Sequence, residues 1–556
     1  MPRIAMAQIN ATVGDLDGNK RIIIQFGKRA KEQGADLVAF PELATTGYPP
    51  LDLLPPHETR PPAGKRSPAQ EDFVRLNKEC LHEIARELVG ITAIVGFVDY
   101  DACNLYNAAA IISQGKIQVV HKTLLPTYDV FDEHRYFTPA IDNTPIPVDL
   151  SGEKMLVGTS ICEDIWDEEV GYGVKVVDSL GSRGAHVIVN INASPFHDNI
   201  RNVRLQILRR KARRLGSAIF YVNLVGGQDE LVFDGQSLAV DRDGRLIGVG
   251  KQFEEDIVMV DLGSDARGFR EVAEPVYNRE QEMFNALTLG VRDYFQKTGF
   301  KGAFIGLSGG IDSSLVAVIA AVALGKENVI GVSMPSRFSS DHSRTDAQSL
   351  AENLGIKFAT IPIEQVFSTF EGELAPYFKG KGRDVAEENL QSRIRGNILM
   401  TLSNKFGDLV LATGNKTELA LGYATLYGDM SGGLEVIGDV SKTEVYALAQ
   451  YYNQHAGREI IPQNCFTKIP SAELRPNQFD PFDYPVVSPL VDDVIENRLS
   501  REELLKKGYP VEVVDDTLRR IRAAEYKRRQ APPAIKITKK AFGLGWKMPI
   551  VNKFRC

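Results

Sequence analysis

Short apolar runs and amphipathic stretches alternate along most of the chain. Runs over Ile4–Gln8, Leu37–Phe40, Ile91–Val98, Ala108–Ser113, Met155–Ile161, Val187–Asn192, Ile219–Asn223 and Ser237–Val240 predict strands. Asn19–Gln33 and Arg201–Leu215 carry apolar residues at helical spacing and predict helices, and Leu246–Asp261 predicts a final pair of strands. A second series starts at Tyr277. It predicts a helix over Glu280–Gly299, a strand over Ala303–Leu307 and a helix over Leu315–Leu324. Strands over Val329–Met334, Phe358–Ile363 and Leu409–Thr413 follow, with helices Ser343–Leu354 and Ala386–Phe406 between them. Two such series predict two α/β domains, residues 1–262 and 277–556, the second a doubly wound parallel sheet with ligands at its strand ends. Gly263–Val276 has little periodicity and predicts the linker, and Pro462–Pro489 predicts a long loop.

The most informative stretch is Gly306-Leu307-Ser308-Gly309-Gly310-Ile311-Asp312-Ser313-Ser314, between a predicted strand and a predicted helix. Glycines there let backbone N–H groups converge, and the helix start adds positive partial charge, so the turn suits a phosphate. Asp312 beside phosphates calls for a cation between them, which points to Mg²⁺. The stretch lacks the Gly-Lys-Ser/Thr of a Walker A loop. Gly306 to Gly310 also fits a nucleophile elbow, but that needs a downstream acid and His, and only His342 and His455 follow. The longer motif resembles the SGGxDS loop of the N-type ATP pyrophosphatases, which split ATP between its α- and β-phosphates.

Bulk composition narrows the partners. A chain of 556 residues is too long for one core. It is 43% hydrophobic and 25% charged, with a net charge of −7, which disfavours nucleic acid and anionic membranes as partners. Five scattered cysteines form neither a metal pair nor a disulfide framework, which fits a reducing, cytoplasmic setting. Met1-Pro2-Arg3-Ile4-Ala5 enters a strand at once, with no signal-peptide core, and no apolar run is long enough to span a bilayer.

Three segments of the first half each place a reactive residue just past an apolar strand: Glu42 after Phe40-Pro41, Lys122 after His121, and Cys162 after Ser160-Ile161. Convergence of those strand ends would suffice for attack on an amide. Cys162 would be the nucleophile, active as thiolate, Glu42 the proton carrier and Lys122 the stabiliser of the tetrahedral oxyanion. Taken singly, each is as well read as a small core cysteine or a solvated strand-end charge. Together, the segments around them closely resemble the nitrilase superfamily, in its NAD⁺-synthetase glutaminase branch, over roughly the first 260 residues. That resemblance implies a four-layer α-β-β-α fold and a Glu42–Lys122–Cys162 triad. It also implies an additional carboxylate at Glu133 and glutamine-binding roles for Tyr128 and Ser194. Family members carry a basic residue six positions after that Ser. Here Ile200 stands there and Arg201 follows, so either the loop is shifted by one residue and Arg201 is the glutamine contact, or glutamine is gripped differently.

In the second half the resemblance to NAD⁺ synthetases implies ATP contacts along the loop Gly306, Leu307, Ser308, Gly309, Gly310, Ile311, Asp312 and Ser313. It adds Met334 and Arg337 of Met334-Pro335-Ser336-Arg337, Thr413, and Lys442 of Lys442-Thr443-Glu444-Val445-Tyr446. Glu418, in Gly414-Asn415-Lys416-Thr417-Glu418, is implied to bind Mg²⁺ together with Asp312 and to contact deamido-NAD⁺. Asn389, Arg395 and Lys527 are further implied contacts of deamido-NAD⁺, and Pro470–Pro476 resembles the substrate lid. Ammonia-only synthetases have a Lys where this chain has Leu426.

An amidase half and an adenylating half together make an amide from a carboxylate, ATP and glutamine. The chain resembles glutamine-dependent NAD⁺ synthetases in both halves. The resemblance implies amidation of deamido-NAD⁺ with ammonia from L-glutamine, ATP as cosubstrate, Mg²⁺, and a homo-oligomer, dimer or larger. The alternatives are a stand-alone carbon–nitrogen hydrolase carrying a regulatory nucleotide-binding module, and an ATP-dependent RNA modifier. The acidic balance and the lack of a basic patch or zinc pair argue against the second.

Overall fold

The computed structural model describes residues 2–56, 68–101, 103–262, 272–276 and 278–553. Most of the predicted linker, residues 263–271, lies outside the described residues, as does Tyr277. The chain divides into two compact units: Met1–Gln228 with Val232–Val276, and Asp229–Leu231 with Tyr277–Cys556. Fourteen strands precede residue 262 among the described residues. They are β1 (Arg3–Gln8), β2 (Leu37–Ala39), β3 (Thr92–Tyr100), β4 (Leu105–Ser113), β5 (Lys116–His121), β6 (Ile146–Leu150) and β7 (Glu153–Ile161). There follow β8 (Val187–Asn192), β9 (Ala218–Asn223), β10 (Val225–Gln228), β11 (Leu231–Asp234), β12 (Leu238–Val240), β13 (Leu246–Val249) and β14 (Asp256–Asp261).

Twelve of these strands make two six-stranded sheets, ordered β14-β1-β2-β3-β4-β5 and β13-β12-β9-β8-β7-β6. Side chains alternate across a strand, so a strand buried on both faces feeds two cores. In β1, Ile4 and Met6 enter a core shared by both sheets, where they join Val187, Val189 and Ile191 of β8. Ala5 and Ala7 face the other way, packing with Ile23 and Phe26 of the helix Leu16–Glu32 and with Leu81 and Ile84 of the helix Pro68–Glu87. Ile188 of β8 likewise turns outward to Leu205 and Leu208 of the helix Ile200–Leu215. The result is a four-layer α-β-β-α sandwich. The predicted final pair of strands does not pair with itself: β13 lies antiparallel to β12 and β14 antiparallel to β1, so each closes the edge of a different sheet.

The second unit holds β15 (Ala303–Gly306), β16 (Val329–Ser333), β17 (Lys357–Thr360), β18 (Leu409–Ala412) and β19 (Leu434–Glu435). All neighbours are parallel, in the order β17-β16-β15-β18-β19. Strand order reverses beside β15, so the crevice past its carboxyl end is the binding position of a doubly wound sheet. The glycine-rich loop occupies that crevice and leads into the helix Ile311–Leu324. The predicted long loop is shorter than expected. A helical turn, Asn464–Thr467, interrupts it, and a helix begins at Tyr484 with Pro485 in its first turn, where no N–H is needed. Among the described residues no helix is long and apolar enough to cross a membrane.

One close approach links the first sandwich to its chemistry. A Cβ on Gly96 of β3 would sit 2.3 Å from the Pro41 carbonyl oxygen and 2.5 Å from the Leu43 nitrogen. Both are backbone atoms, so the Glu42 turn lies flush against a strand that only glycine can supply. Gly96→Ala is expected to cost about 1–3 kcal/mol through overpacking. Its melting temperature, read by differential scanning fluorimetry, falls by about 2–4 °C for each kcal/mol.

Candidate active sites

In the first unit, strand ends bring the three expected residues to one buried point. The Lys122 ammonium lies 2.7 Å from Glu42 Oε1 and 2.8 Å from Glu133 Oε1, with all three residues buried. Burial pulls that ammonium down, but Glu133 and Glu42 outweigh it and hold it well above its ordinary value. Glu133 is pushed up to about 7 by burial, against the pull of Lys122. Glu42 is fixed further by Asn107 Nδ2, which donates to Oε1 at 2.7 Å, and by the Ala193 amide, which donates to Oε2 at 2.9 Å. Tyr48 donates its hydroxyl to Glu133 at 3.0 Å.

Cys162 opens the turn after β7 with a φ of +44°, a left-handed conformation that non-glycine residues adopt at a cost. Asp164 holds the turn: its carboxylate accepts the amides of Ile161, Thr123 and Leu124. One side chain therefore ties the Cys162 turn to the chain just past Lys122. Asp164 itself is pushed up to about 6 by burial. Burial also pushes the Cys162 thiol well up, Glu42 adds to this, and the nearby Lys122 only partly offsets it. These effects favour the protonated thiol before attack, which leaves a proton for Glu42 to take.

The remaining expected residues separate. Tyr128 donates its hydroxyl to Glu163 at 2.9 Å, and Tyr172 donates to the same carboxylate at 3.0 Å. Ser194 is buried, its amide on Asn223 Oδ1 at 3.0 Å. Arg201 does not join it: the guanidinium donates to the Pro275 carbonyl and to Asn202. Arg204, three residues on along the same helix, reaches the Ser194 carbonyl at 2.8 Å and hydroxyl at 3.1 Å, and grips Asp234 with two 2.8 Å contacts. Sequence reasoning missed Asn107, Glu163, Tyr172 and Arg204. Asn107 was signalled by being polar inside an apolar strand, and Glu163 by adjoining Cys162.

In the second unit a cavity of about 290 Å³ opens past β15. It brings together residues 306–308 and 310–313 of the loop with Met334, Arg395, Thr413, Glu418 and Lys442. Gly309 (φ +74°) stays behind the loop, where a Cβ would sit 2.2 Å from the Ser343 carbonyl oxygen. Ser313 and Ser314 donate their hydroxyls to the Gly310 carbonyl at 3.1 and 2.8 Å and brace the helix start. Lys442 contacts Asp312 at 2.5 Å and Glu418 at 3.6 Å, and Asn415 Nδ2 donates to Asp312 at 2.8 Å. Burial pulls Lys442 down, but Asp312 and Glu418 hold it above its ordinary value. Glu418 is pushed up to about 8 by burial, opposed by Lys442 and reinforced by Asp312. Arg395 donates to the Met334 carbonyl at 2.9 Å and is pushed down to about 10 by burial, so it stays charged at neutral pH.

Other expected contacts lie off the cavity wall. Arg337 is turned to Glu364 and Ser368, 2.8 and 2.7 Å away. Lys527 donates to the carbonyls of Gly422 and Ala424 at 2.8 and 2.7 Å, and Asn389 accepts the Thr425 hydroxyl at 2.8 Å. Leu426 packs beside an apolar cluster that includes Leu419 and Met430. Residues 470–474 line the cavity, and Glu473 accepts the Ser340 and Ser343 hydroxyls at 2.8 Å each. Among the described residues no group of three or more His, Cys, Asp or Glu is arranged to hold a metal.

Known proteins share both halves. Residues 3–271 match a carbon–nitrogen hydrolase family and residues 283–531 an NAD synthase family. A glutamine-dependent NAD(+) synthetase from Thermotoga maritima is 45% identical, with 100% of this chain and 99% of that protein covered. One from Synechocystis sp. is 43% identical, with 99% of each covered. The structure of glutamine-dependent NAD+ synthetase from Acinetobacter baumannii in complex with ADP superposes with a TM-score of 0.76 at 36% identity, covering 99% of this chain and 98% of that one. A Cytophaga hutchinsonii synthetase shares the fold with a TM-score of 0.83 at 22% identity, covering 99% of this chain and 98% of that one. With both active-site scaffolds present and relatives matched end to end, the chain belongs to the glutamine-dependent NAD⁺ synthetases, ligases that form a carbon–nitrogen bond.

Proposed function

We propose that the two clusters divide the reaction between them, the Glu42–Lys122–Cys162 cluster releasing ammonia from glutamine and the Asp312–Lys442–Glu418 cluster serving adenylation. The observation that carries this is the repeated device of a buried lysine between two carboxylates, once beside a cysteine and once beside a phosphate loop. In the first stage Glu42 takes the Cys162 proton as sulfur attacks the glutamine amide carbon. Lys122 faces the oxygen that gains charge. The C–N bond then breaks, Glu42 returns the proton to the leaving ammonia, and water hydrolyses the thioester to glutamate. Glu133 shares the Lys122 ammonium and holds it in place. Tyr128 and the Glu163 carboxyl lie close enough to Cys162 to act on it electrostatically, and with Ser194 they suit the amino-acid end of glutamine; Arg204 positions Ser194. Arg201 is kept as a contact to be tested.

In the second stage the deamido-NAD⁺ carboxylate attacks the α-phosphorus of ATP, pyrophosphate leaves, and ammonia displaces AMP to give NAD⁺. Backbone amides of the loop from Gly306 to Ser313 receive the phosphates. Lys442 offsets phosphate charge, and Met334 and Thr413 offer contacts for ATP. Arg395 and Glu418 face deamido-NAD⁺; Arg337 as an ATP contact, and Asn389 and Lys527 as deamido-NAD⁺ contacts, would have to turn from their present partners and are kept as contacts to be tested. Asp312 and Glu418 fit Mg²⁺, since both are carboxylates, they face one cavity, and Glu418 is pushed up by burial with Asp312 adding to it. When bound, Mg²⁺ would shield phosphate charge. A cytoplasmic location and a homo-oligomer belong to the same proposal.

Cys162→Ala is expected to abolish NAD⁺ formation from glutamine and keep that from ammonium, measured side by side; loss of both would end the division of labour. Glu42→Gln should lower glutamine hydrolysis by about 10²–10⁴-fold while leaving ammonium-dependent synthesis near wild type. Lys442→Met should do the reverse, suppressing ATP–pyrophosphate exchange in the presence of deamido-NAD⁺ but sparing glutamine hydrolysis.

A further inference from the structure

Asn415 joins the two carboxylates of the adenylation cavity. It is buried, at the N-cap of the helix Lys416–Leu421. Its side-chain Oδ1 accepts the Glu418 amide at 3.0 Å, and its own amide donates to Glu418 Oε2 at 3.2 Å, a capping box. A serine or an aspartate would cap the helix about as well. What asparagine adds is a side-chain donor: Nδ2 gives a hydrogen bond to Asp312 Oδ1 at 2.8 Å, from 103 residues along the chain.

Asp312 therefore has a different donor on each oxygen, Asn415 Nδ2 on Oδ1 and the Lys442 ammonium on Oδ2. The two differ in kind. An ammonium is a compact charge whose donors rotate, so it sets how close a carboxylate lies and not how it is turned. An amide N–H is directional, and together with the ammonium it fixes the rotation of the Asp312 carboxylate. Asn415 is itself well anchored. The Lys416 amide donates to the Val440 carbonyl at 2.9 Å, and the Lys442 amide to Thr417 Oγ1 at 3.0 Å. The buried Lys416 ammonium is gripped by Glu496 at 2.6 Å, Asp492 at 3.2 Å and Asp439 at 3.4 Å, none of which lines the cavity. The turn that carries Asn415 is thus held by groups that need not move when the cavity fills.

We propose that Asn415 is a positioning residue for adenylation: it holds the Asp312 carboxylate in a set orientation beside Glu418, independently of Lys442. The inference rests on the reading of this cavity as the ATP site. When phosphates arrive, Lys442 turns its charge to them, and Asp312 loses the donor on Oδ2. Without Asn415 that carboxylate would then be free to rotate, and Asp312 and Glu418 would no longer offer a fixed pair of oxygens to a cation. With Asn415, Oδ1 stays bound whether or not Lys442 moves. Asn415 lies outside the cavity lining, so it acts through Asp312 and Glu418, which line it, and not by touching a substrate.

The test uses the full chain with Asn415→Ser and Asn415→Ala. Serine caps a helix about as well as asparagine but brings no amide N–H, whereas alanine removes both functions. Wild type is titrated first with ATP in excess Mg²⁺, without deamido-NAD⁺, by isothermal titration calorimetry: absence of binding would reject the reading of the cavity, and the inference with it. In Asn415→Ser the ATP affinity under those conditions should fall roughly tenfold, as for loss of a hydrogen bond to a charged group. In ATP–pyrophosphate exchange the Mg²⁺ concentration giving half the maximal rate should rise, while the KM for deamido-NAD⁺ changes little. Asn415→Ser should melt close to wild type and Asn415→Ala lower, yet the two should lose ATP affinity alike. An Asn415→Ser variant with unchanged ATP affinity and unchanged Mg²⁺ dependence would overturn the proposal. So would losses that follow the melting temperature, large in the alanine variant and absent in the serine variant, which would make Asn415 a helix cap and nothing more. Failure of both variants to fold would overturn it too.

Discussion

A lysine ammonium with no access to water governs the first unit. Moving such a charge out of water costs several kcal/mol even after relaxation, and only close, well-oriented counter-charges offset it. Lys122 has two, Glu42 and Glu133, and these come from chain segments far apart in sequence. The end of β5, the turn after β2 and the helical turn at Glu133–Arg135 must therefore all arrive at one point. Gly96 lets the Glu42 turn come close enough, and Asp164 ties in the Cys162 turn. The second unit repeats the device on an unrelated sheet, with Lys442 between Asp312 and Glu418. In both, the ammonium is held in place by carboxyl groups of the protein itself; on the proposed mechanism, little reorganisation is then needed when negative charge develops.

Residues at strand ends were legible in the sequence because a short apolar run fixes where a strand stops. Glu42, Lys122, Cys162 and the loop after β15 all follow such runs. Pairing between distant strands was not legible. Both halves of Leu246–Asp261 carry strand patterns, yet they close different sheets, since pairing is chosen by which sheet edge is open rather than by nearness in the chain. Helical neighbours were ambiguous for a related reason. Arg201 and Arg204 lie three residues apart, so spacing alone left both as candidates for one face, and the structure pairs Arg204 with the buried Asp234. Arg337 was placed by its neighbours in the chain, but Glu364 and Ser368, about one helical turn apart, draw it away from the cavity.

Cysteine chemistry in the first unit runs against the simple picture of a preformed thiolate. Burial and the Glu42 carboxylate both favour the protonated thiol, and the cation that could favour the thiolate is already engaged by two carboxylates. A thiolate made before substrate binds would add negative charge to a buried cluster whose one ammonium already faces two carboxyl groups. On the proposed division of labour, sulfur gains nucleophilicity only when its proton has somewhere to go, which fits Glu42 as a base that acts during attack and not before it. The left-handed backbone at Cys162 adds to the argument, because strain at that residue persists only where surrounding contacts over-determine it. The bonds from Asp164 supply that over-determination. The same turn thus fixes the position of the sulfur and leaves its reactivity to the arrival of the amide.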